Sequence, residues 1–249
     1  MGFTYVSRAR VKCHVFVDFD GTIVPRDATD FLFEQFADPS WQAIERDWQE
    51  GRIGSRECMT RQVALLRATP YALKRAIGVL AIDRGFSHFV RQCRQAGIGM
   101  TVLSDGFDLV IEQVLRKFAL NLPFYANHLE SHGADRWRVT FPSGRSDCRA
   151  LAGNCKCSFT EPHSGSVKVV IGDGRSDFCL SGRADLIFAK AQLAALCGRH
   201  GVPHFTFGDF FDVSERLAAW LALERGLGAG EAWAGGRVGN CGGGVVNEA

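Results

Sequence analysis

The chain has 249 residues, of which 46% are hydrophobic and 22% charged, with only 7 Pro. That balance suits one large domain, or one domain carrying a sizeable insertion, and excludes a disordered or fibrous chain. Lys and Arg total 29 against 27 Asp and Glu, with no basic block, so the charge pattern excludes a charge-driven nucleic-acid partner.

The first residues, Met1 to Arg8, contain no apolar stretch of signal-peptide length, and Val6 stands where a myristoylation signal needs Ser or Thr. No window approaches the roughly 18 apolar residues of a membrane helix. The expected address is the cytosol, with no membrane partner. Nine cysteines without a secretory signal read as free thiols or metal ligands, not as a disulfide framework.

Val11–Val17 is the first predicted strand and ends at Asp18. Residues 26–84 follow with a helical pattern throughout, far longer than a strand-to-helix loop needs. Within them Asp38-Pro39 and Thr69-Pro70 each place a capping side chain before a proline, as helix openings do. A helix is expected over Phe86–Gln95, a strand over Ile98–Leu103 ending at Ser104, and a helix over Asp108–Phe118. Phe124–Phe141 alternates like a hairpin, with Ser131 to Asp135 as its turn. Further strands are expected at Val167–Ile171, Leu186–Ala189 and His204–Phe207, then an amphipathic stretch ending near Leu223. The near-continuous Val, Ile and Phe content of these strands suits a parallel sheet buried on both faces. The expected fold is α/β: a doubly wound parallel sheet over residues 11–25 and 85–224, a small helical cap inserted at 26–84, and a glycine-rich flexible tail at 225–249.

The strand ends carry chemistry. Asp18-Phe19-Asp20-Gly21-Thr22, Ser104-Asp105-Gly106, Lys156 and Gly172-Asp173-Gly174-Arg175-Ser176-Asp177 should converge beyond the carboxyl ends of the strands, where open α/β sheets form their sites. Gly21 lets the chain turn at once, so that Asp18 and Asp20 both face the crevice. An ionised aspartate attacks phosphorus without a base, which makes Asp18 the candidate nucleophile. A second carboxyl beside it has its proton affinity raised, and Asp20 is the candidate general acid and base. Carboxylates facing a phosphate need a hard cation, so Mg²⁺ on Asp18, Asp20 and Asp173 is implied. The Ser104 hydroxyl, the backbone amides of Asp105 and Gly106 at the start of the next helix, and the Lys156 ammonium are the candidate phosphate-binding groups. Asp177 is expected to orient Lys156 or a metal-bound water.

These four motifs, in this order and each after a predicted strand, resemble those of the haloacid dehalogenase superfamily of phosphatases, over roughly residues 11 to 215. The resemblance implies a Rossmann-like core and a Mg²⁺-dependent phosphatase acting on a small phosphorylated metabolite through an aspartyl-phosphate. The insertion is similar to the cap of the subgroup containing phosphoserine phosphatase and the methionine-salvage enol-phosphate phosphatase. Asp27, nine residues after Asp18, and the approach Gly153-Asn154-Cys155-Lys156-Cys157 look more like the methionine-salvage branch, and Asp27 is a candidate substrate contact. The segment Thr160 to Ser166 interrupts the helix that normally follows the lysine, which leaves Lys168 as a competitor for its role.

Other readings stand beside this one. DxDGT alone resembles half a calcium loop, but Pro25 and a preceding strand do not fit. A phosphotransferase would use the same intermediate, phosphoserine would need an arginine such as Arg46, Arg52, Arg56 or Arg61 for its carboxylate, and a non-catalytic protein could keep the fold to bind a metal or phospholigand. Cys148, Cys155 and Cys157 with His128, His132 or His163 contain zinc-ligand types, yet lack paired C-x₂-C spacing; they read as reduced loop cysteines. The cap aromatics Phe31, Phe33, Phe36, Trp41 and Trp48 read mainly as packing, with Phe31 or Trp41 as a surface for an uncharged substrate tail.

Overall fold

The computed structural model describes residues 12–148 and 150–224; Val11 and the tail expected at 225–249 lie outside the described residues. Strands β1 (Cys13–Val17), β2 (Gly99–Phe107), β3 (Phe124–Ser131), β4 (Trp137–Thr140), β5 (Val167–Gly172), β6 (Leu186–Ala189) and β7 (Phe205–Thr206) form one sheet. Its order is β4-β3-β2-β1-β5-β6-β7, and all neighbours are parallel except β3 and β4. Successive side chains of a strand point to opposite faces, and here both faces are covered. Val15, Val17, Val169 and Ile171 enter the main core, whereas Phe16, Leu103 and Val170 form a second cluster on the other side. This two-sided burial is why the strands are apolar at nearly every position.

The chain leaves β1 toward β2, β3 and β4, then returns to β5 on the opposite side of β1. The carboxyl ends of β1, β2 and β5 therefore flank the switch in strand order, where a crevice opens.

Between β1 and β2 lie α1 (Ala28–Phe36), α2 (Trp41–Gln49), α3 (Ser55–Val63) and α4 (Pro70–Ile77), followed by α5 (Phe86–Ala96). Helix α4 opens as its sequence predicts: the Thr69 hydroxyl accepts the Ala72 N–H at 3.2 Å and Pro70 takes the first position. Asp38-Pro39 does not open α2 directly. The Asp38 carboxylate instead accepts the backbone N–H and hydroxyl of Ser40, making a turn that delays the helix to Trp41.

Strand β2 also differs from expectation, running on through Ser104-Asp105-Gly106 to Phe107 with a register shift against β3. The segment stays extended through this shift, so α6 (Asp108–Lys117) starts after the motif and not within it. The hairpin forms as expected, and it braces the helical insertion: Trp137 Nε1 donates to Ala68 O at 2.8 Å, and Ala68 N–H to Asp135 O at 2.9 Å. After Lys156 the chain forms a 3₁₀ helix over Lys156–His163 with Pro162 inside it. Helices α7 (Phe178–Ser181), α8 (Ala191–Arg199) and α9 (Phe210–Glu224) complete the core. Among the described residues no helix is long and apolar enough to cross a membrane.

Candidate active site

The turn after β1 is built by close approach. Gly21 has φ +71°, and a Cβ there would lie 2.2 Å from Asp173 Oδ2. The backbone thus passes directly beneath the Asp173 carboxylate, which only glycine permits. The next residue completes the joint: Thr22 Oγ1 donates to Asp173 Oδ1 at 2.7 Å.

Asp18 follows β1, its N–H bonded to Ile171 O at 2.9 Å, and its carboxylate accepts the Phe19 N–H at 2.7 Å. Lys156 Nζ sits 2.8 Å from Asp18 Oδ1 and 2.7 Å from Asp177 Oδ1, and it donates to Ser176 Oγ at 3.1 Å. All three ionic side chains are buried. Burial, then the Asp177 charge, pushes the Asp18 carboxyl well above its ordinary range, with Lys156 opposing. Burial disfavours the Lys156 charge, but Asp177 and Asp18 outweigh it and hold the ammonium protonated. Lys168 does no such work; it pairs with Asp185 at 2.9 Å.

Asp20 turns elsewhere. Its carboxylate accepts the Ala28 N–H at 2.9 Å and the Ser104 hydroxyl at 3.1 Å, and burial followed by the Asp27 charge raises it to about 7. Asp173 is raised to about 6, chiefly by burial. Oxygens of Asp18, Asp173 and Asp177 lie within 4.8 Å of one another. Three hard oxygen donors crowded by like charge fit a divalent cation such as Mg²⁺. The Asp20 carboxylate is outside this group, and Asp177, expected as a support for Lys156, both holds Lys156 and belongs to it.

Ser104 is fully buried between its neighbours: it donates to Asp20, and its oxygen accepts the Gly106 N–H at 2.8 Å. The Gly106 amide is therefore engaged inside the motif. Asp105 accepts the Asn154 N–H at 2.8 Å and an Asn127 side-chain N–H at 3.2 Å. Asn154, which the sequence marked only as part of the approach to Lys156, also donates to Ser104 O and Tyr125 O, both at 2.8 Å. It fastens the segment before Lys156 to the second motif; the signal for it is only its place two residues before the lysine.

A cavity of about 260 Å³ opens above Asp18, Asp20, Asp105 and Asp173. Its roof comes from the insertion: Asp27 and Asp30 at the start of α1, Glu45, Trp48 and Gln49 on α2, and Ser55, Cys58, Met59 and Gln62 on α3. The two last sets follow helical spacing, so a face was legible in sequence, though not which face turns inward. Trp41 and Phe31 do not line the cavity: Trp41 packs on Phe33 and Phe31 carries the Arg26 guanidinium. Trp48 is the aromatic residue that does. Arg46, Arg52, Arg56 and Arg61 are likewise absent from the lining; Arg52 and Arg61 pair with Asp47 and other acids, and Arg56 donates to the carbonyls of Arg145 and Ala152. Arg175, from the fourth motif, is the arginine in the lining, and it donates to Trp48 O at 3.3 Å and Gln49 O at 2.9 Å across the mouth.

The cysteines run as a string: Cys155 and Cys157 sulfurs are 3.6 Å apart, with Cys148 beside the first and Cys179 beside the second. Among the described residues these sulfurs form no group of three ligand atoms with a histidine; His128 pairs with Asp108 and His163 packs on His14.

A parallel sheet with paired aspartates after its first strand, a lysine held between buried carboxylates and an acidic fourth loop defines a hydrolase, and residues 15–181 match the haloacid dehalogenase-like hydrolase family, to which the chain belongs. Its relatives include two proteins named 2-hydroxy-3-keto-5-methylthiopentenyl-1-phosphate phosphatase. The one from Brevibacillus brevis is 31% identical over 81% of this chain and 93% of its own length, and that from an Exiguobacterium species is 29% identical over 82% and 96%. Among solved structures, a phospho-aspartyl intermediate analogue of phosphoserine phosphatase shares the fold with a TM-score of 0.65 at 18% identity, covering 83% of this chain and 99% of that one.

Proposed function

We propose that this hydrolase is a phosphatase that cleaves a small phosphate monoester through an aspartyl-phosphate on Asp18. The observation that carries the reading is the buried Asp18 carboxylate, 2.8 Å from the Lys156 ammonium and within 4.8 Å of oxygens of Asp173 and Asp177. In the first step an Asp18 oxygen bonds to phosphorus while the bond from phosphorus to the ester oxygen breaks. Asp20 gives that oxygen its proton, so a neutral alcohol leaves. Water then attacks the same phosphorus, Asp20 takes the water proton, and the bond to Asp18 breaks to release inorganic phosphate. A carboxyl near 7 is suited to both halves of this cycle. Lys156 holds phosphoryl oxygens in both steps. Asp18 and Asp173 would hold Mg²⁺, and the ion would supply positive charge to offset the phosphate dianion among the surrounding carboxylates.

Residues 26–84 act in this reading as the cap and residues 11–25 and 85–224 as the core, with closure excluding water until the intermediate has formed. The compound in the relatives' names, 2-hydroxy-3-keto-5-methylthiopentenyl-1-phosphate, is the first substrate to test, since Trp48 and Met59 offer its uncharged methylthio end an apolar surface. Phosphoserine is less suited, because the four cap arginines named for its carboxylate lie outside the cavity lining. Phosphate release from p-nitrophenyl phosphate and from the enol-phosphate, with and without Mg²⁺, tests the reading. It fails if folded protein releases no phosphate from either.

A further inference from the structure

The roof of the cavity is acidic. Asp27, Asp30 and Glu45 line it together with Trp48, and the one arginine in the lining, Arg175, is engaged with the carbonyls of Trp48 and Gln49. These acids are unequally satisfied. Asp27 accepts the Asp30 N–H at 2.9 Å, and Glu45 accepts a Gln62 side-chain N–H at 3.0 Å. The Asp30 carboxylate has no hydrogen-bond donor among the described residues. Burial first, then the charges of Asp27 and Glu45, raises it to about 8. A half-buried carboxylate crowded by like charge and without a donor is stabilised most by a cation. The roof is not a second metal cage: the described group of three ligands within 4.8 Å is Asp18, Asp173 and Asp177 on the floor. The face of Trp48 adds a surface that attracts organic cations.

We infer that the enzyme takes a second class of substrate, phosphate monoesters of amino or quaternary-ammonium alcohols, whose positive end lies between Asp30, Glu45 and Trp48 while the phosphate meets Asp18. The inference rests on the phosphatase reading but not on the substrate of the relatives. Its chemistry is that of the proposed cycle: the bond from phosphorus to the alcohol oxygen breaks, Asp20 protonates that oxygen, and the amino alcohol leaves with its charge unchanged. The same roof repels a carboxylate at that end, so a zwitterion such as phosphoserine gains less than a simple cation.

The test compares kcat/KM for choline phosphate and 2-aminoethyl phosphate with 3,3-dimethylbutyl phosphate, the uncharged isostere of the first, and with p-nitrophenyl phosphate. The cationic esters are expected to exceed the neutral isostere by about thirtyfold. Asp30→Asn combined with Glu45→Gln is expected to bring that ratio below about three, a quantity that cancels any general loss of active protein. A wild-type ratio near one, with p-nitrophenyl phosphate turned over, overturns the inference and leaves the phosphatase reading standing. So does a high ratio that the double variant retains. No turnover of any ester with Mg²⁺ present overturns both.

Discussion

The ammonium of Lys156 stands 2.8 Å from Oδ1 of Asp18, with both side chains buried. The ammonium also bonds Asp177, so one cation offsets two buried carboxylates that would otherwise repel each other. Lys156→Met should therefore cost about 3–5 kcal/mol of stability, because it strands charges inside the protein. Adding Asp177→Asn should restore part of that loss. Urea denaturation of the single and double variants measures both, and equal stability of Lys156→Met and wild type would show that the pair is not a structural element.

Asp18→Asn should lower kcat by at least about a thousandfold while leaving the fold intact, since an amide of nearly the same volume is no nucleophile. Asp20→Asn should behave differently and slow both halves of the cycle, each of which moves a proton through that group. Rapid-quench measurement of protein-bound phosphate separates the two variants: no labelled protein is expected with Asp18→Asn, and slow labelling followed by slow release with Asp20→Asn.

The raised Asp20 carboxyl sets a pH dependence. With Mg²⁺ present, kcat/KM should fall above a pH of about 7, as the general acid loses its proton, and Asp20→Asn should remove that limb. Stability follows the same group. Between its ordinary value of 3.8 and about 7 the folded chain holds a proton that the unfolded chain has released. This contribution is therefore full below 3.8 and is lost as pH rises through 7. Thermal denaturation across that range should show a slope that Asp20→Asn flattens.

Gly21→Ala should be severe for two reasons: φ is +71°, and the added methyl would sit 2.2 Å from the Asp173 carboxylate. Displacing Asp173 should weaken its bond from Thr22 and raise the Mg²⁺ concentration needed for half-maximal activity by about tenfold or more. A Mg²⁺ titration of activity checks this, and an unchanged midpoint would remove Asp173 from the metal site.

Arg175 spans the mouth of the cavity to the last carbonyls of α2 from an exposed position. Exposed bonds of this kind stabilise a fold by less than about 1 kcal/mol, so Arg175→Ala should hardly shift the melting temperature. If it holds the cap closed, KM should rise several-fold and Arg175→Lys should recover part of it. Steady-state kinetics on the three proteins decides, and wild-type KM in Arg175→Ala would leave the contact without a role in closure.

Much of this molecule was legible from local rules. Apolar runs ending at Asp18, near Ser104 and at Gly172 marked the parallel strands, Thr69-Pro70 marked the start of α4, and Gly21 marked a turn no other residue makes as readily. These features depend on the backbone of a few consecutive residues, so their sequence carries them. What the sequence left open depends on contacts between distant segments. Residues 26–84 read as helical, with Trp48 as packing; only the folded chain turned the face of α2 that carries Glu45, Trp48 and Gln49 toward the cavity, and kept Trp41 in the core against Phe33. The sequence could name Asp20 as a partner of Asp18, but not that the Ala28 amide and Ser104 hydroxyl would draw its carboxylate away from the group formed by Asp18, Asp173 and Asp177. Lys156 and Lys168 are alike as side chains; Lys156 reaches Asp18 because Asn154 anchors its irregular segment to the end of β2, whereas the strand directs Lys168 to Asp185. Direction in space, unlike local conformation, is set by which segments pack together, and that is decided only when the whole chain has folded.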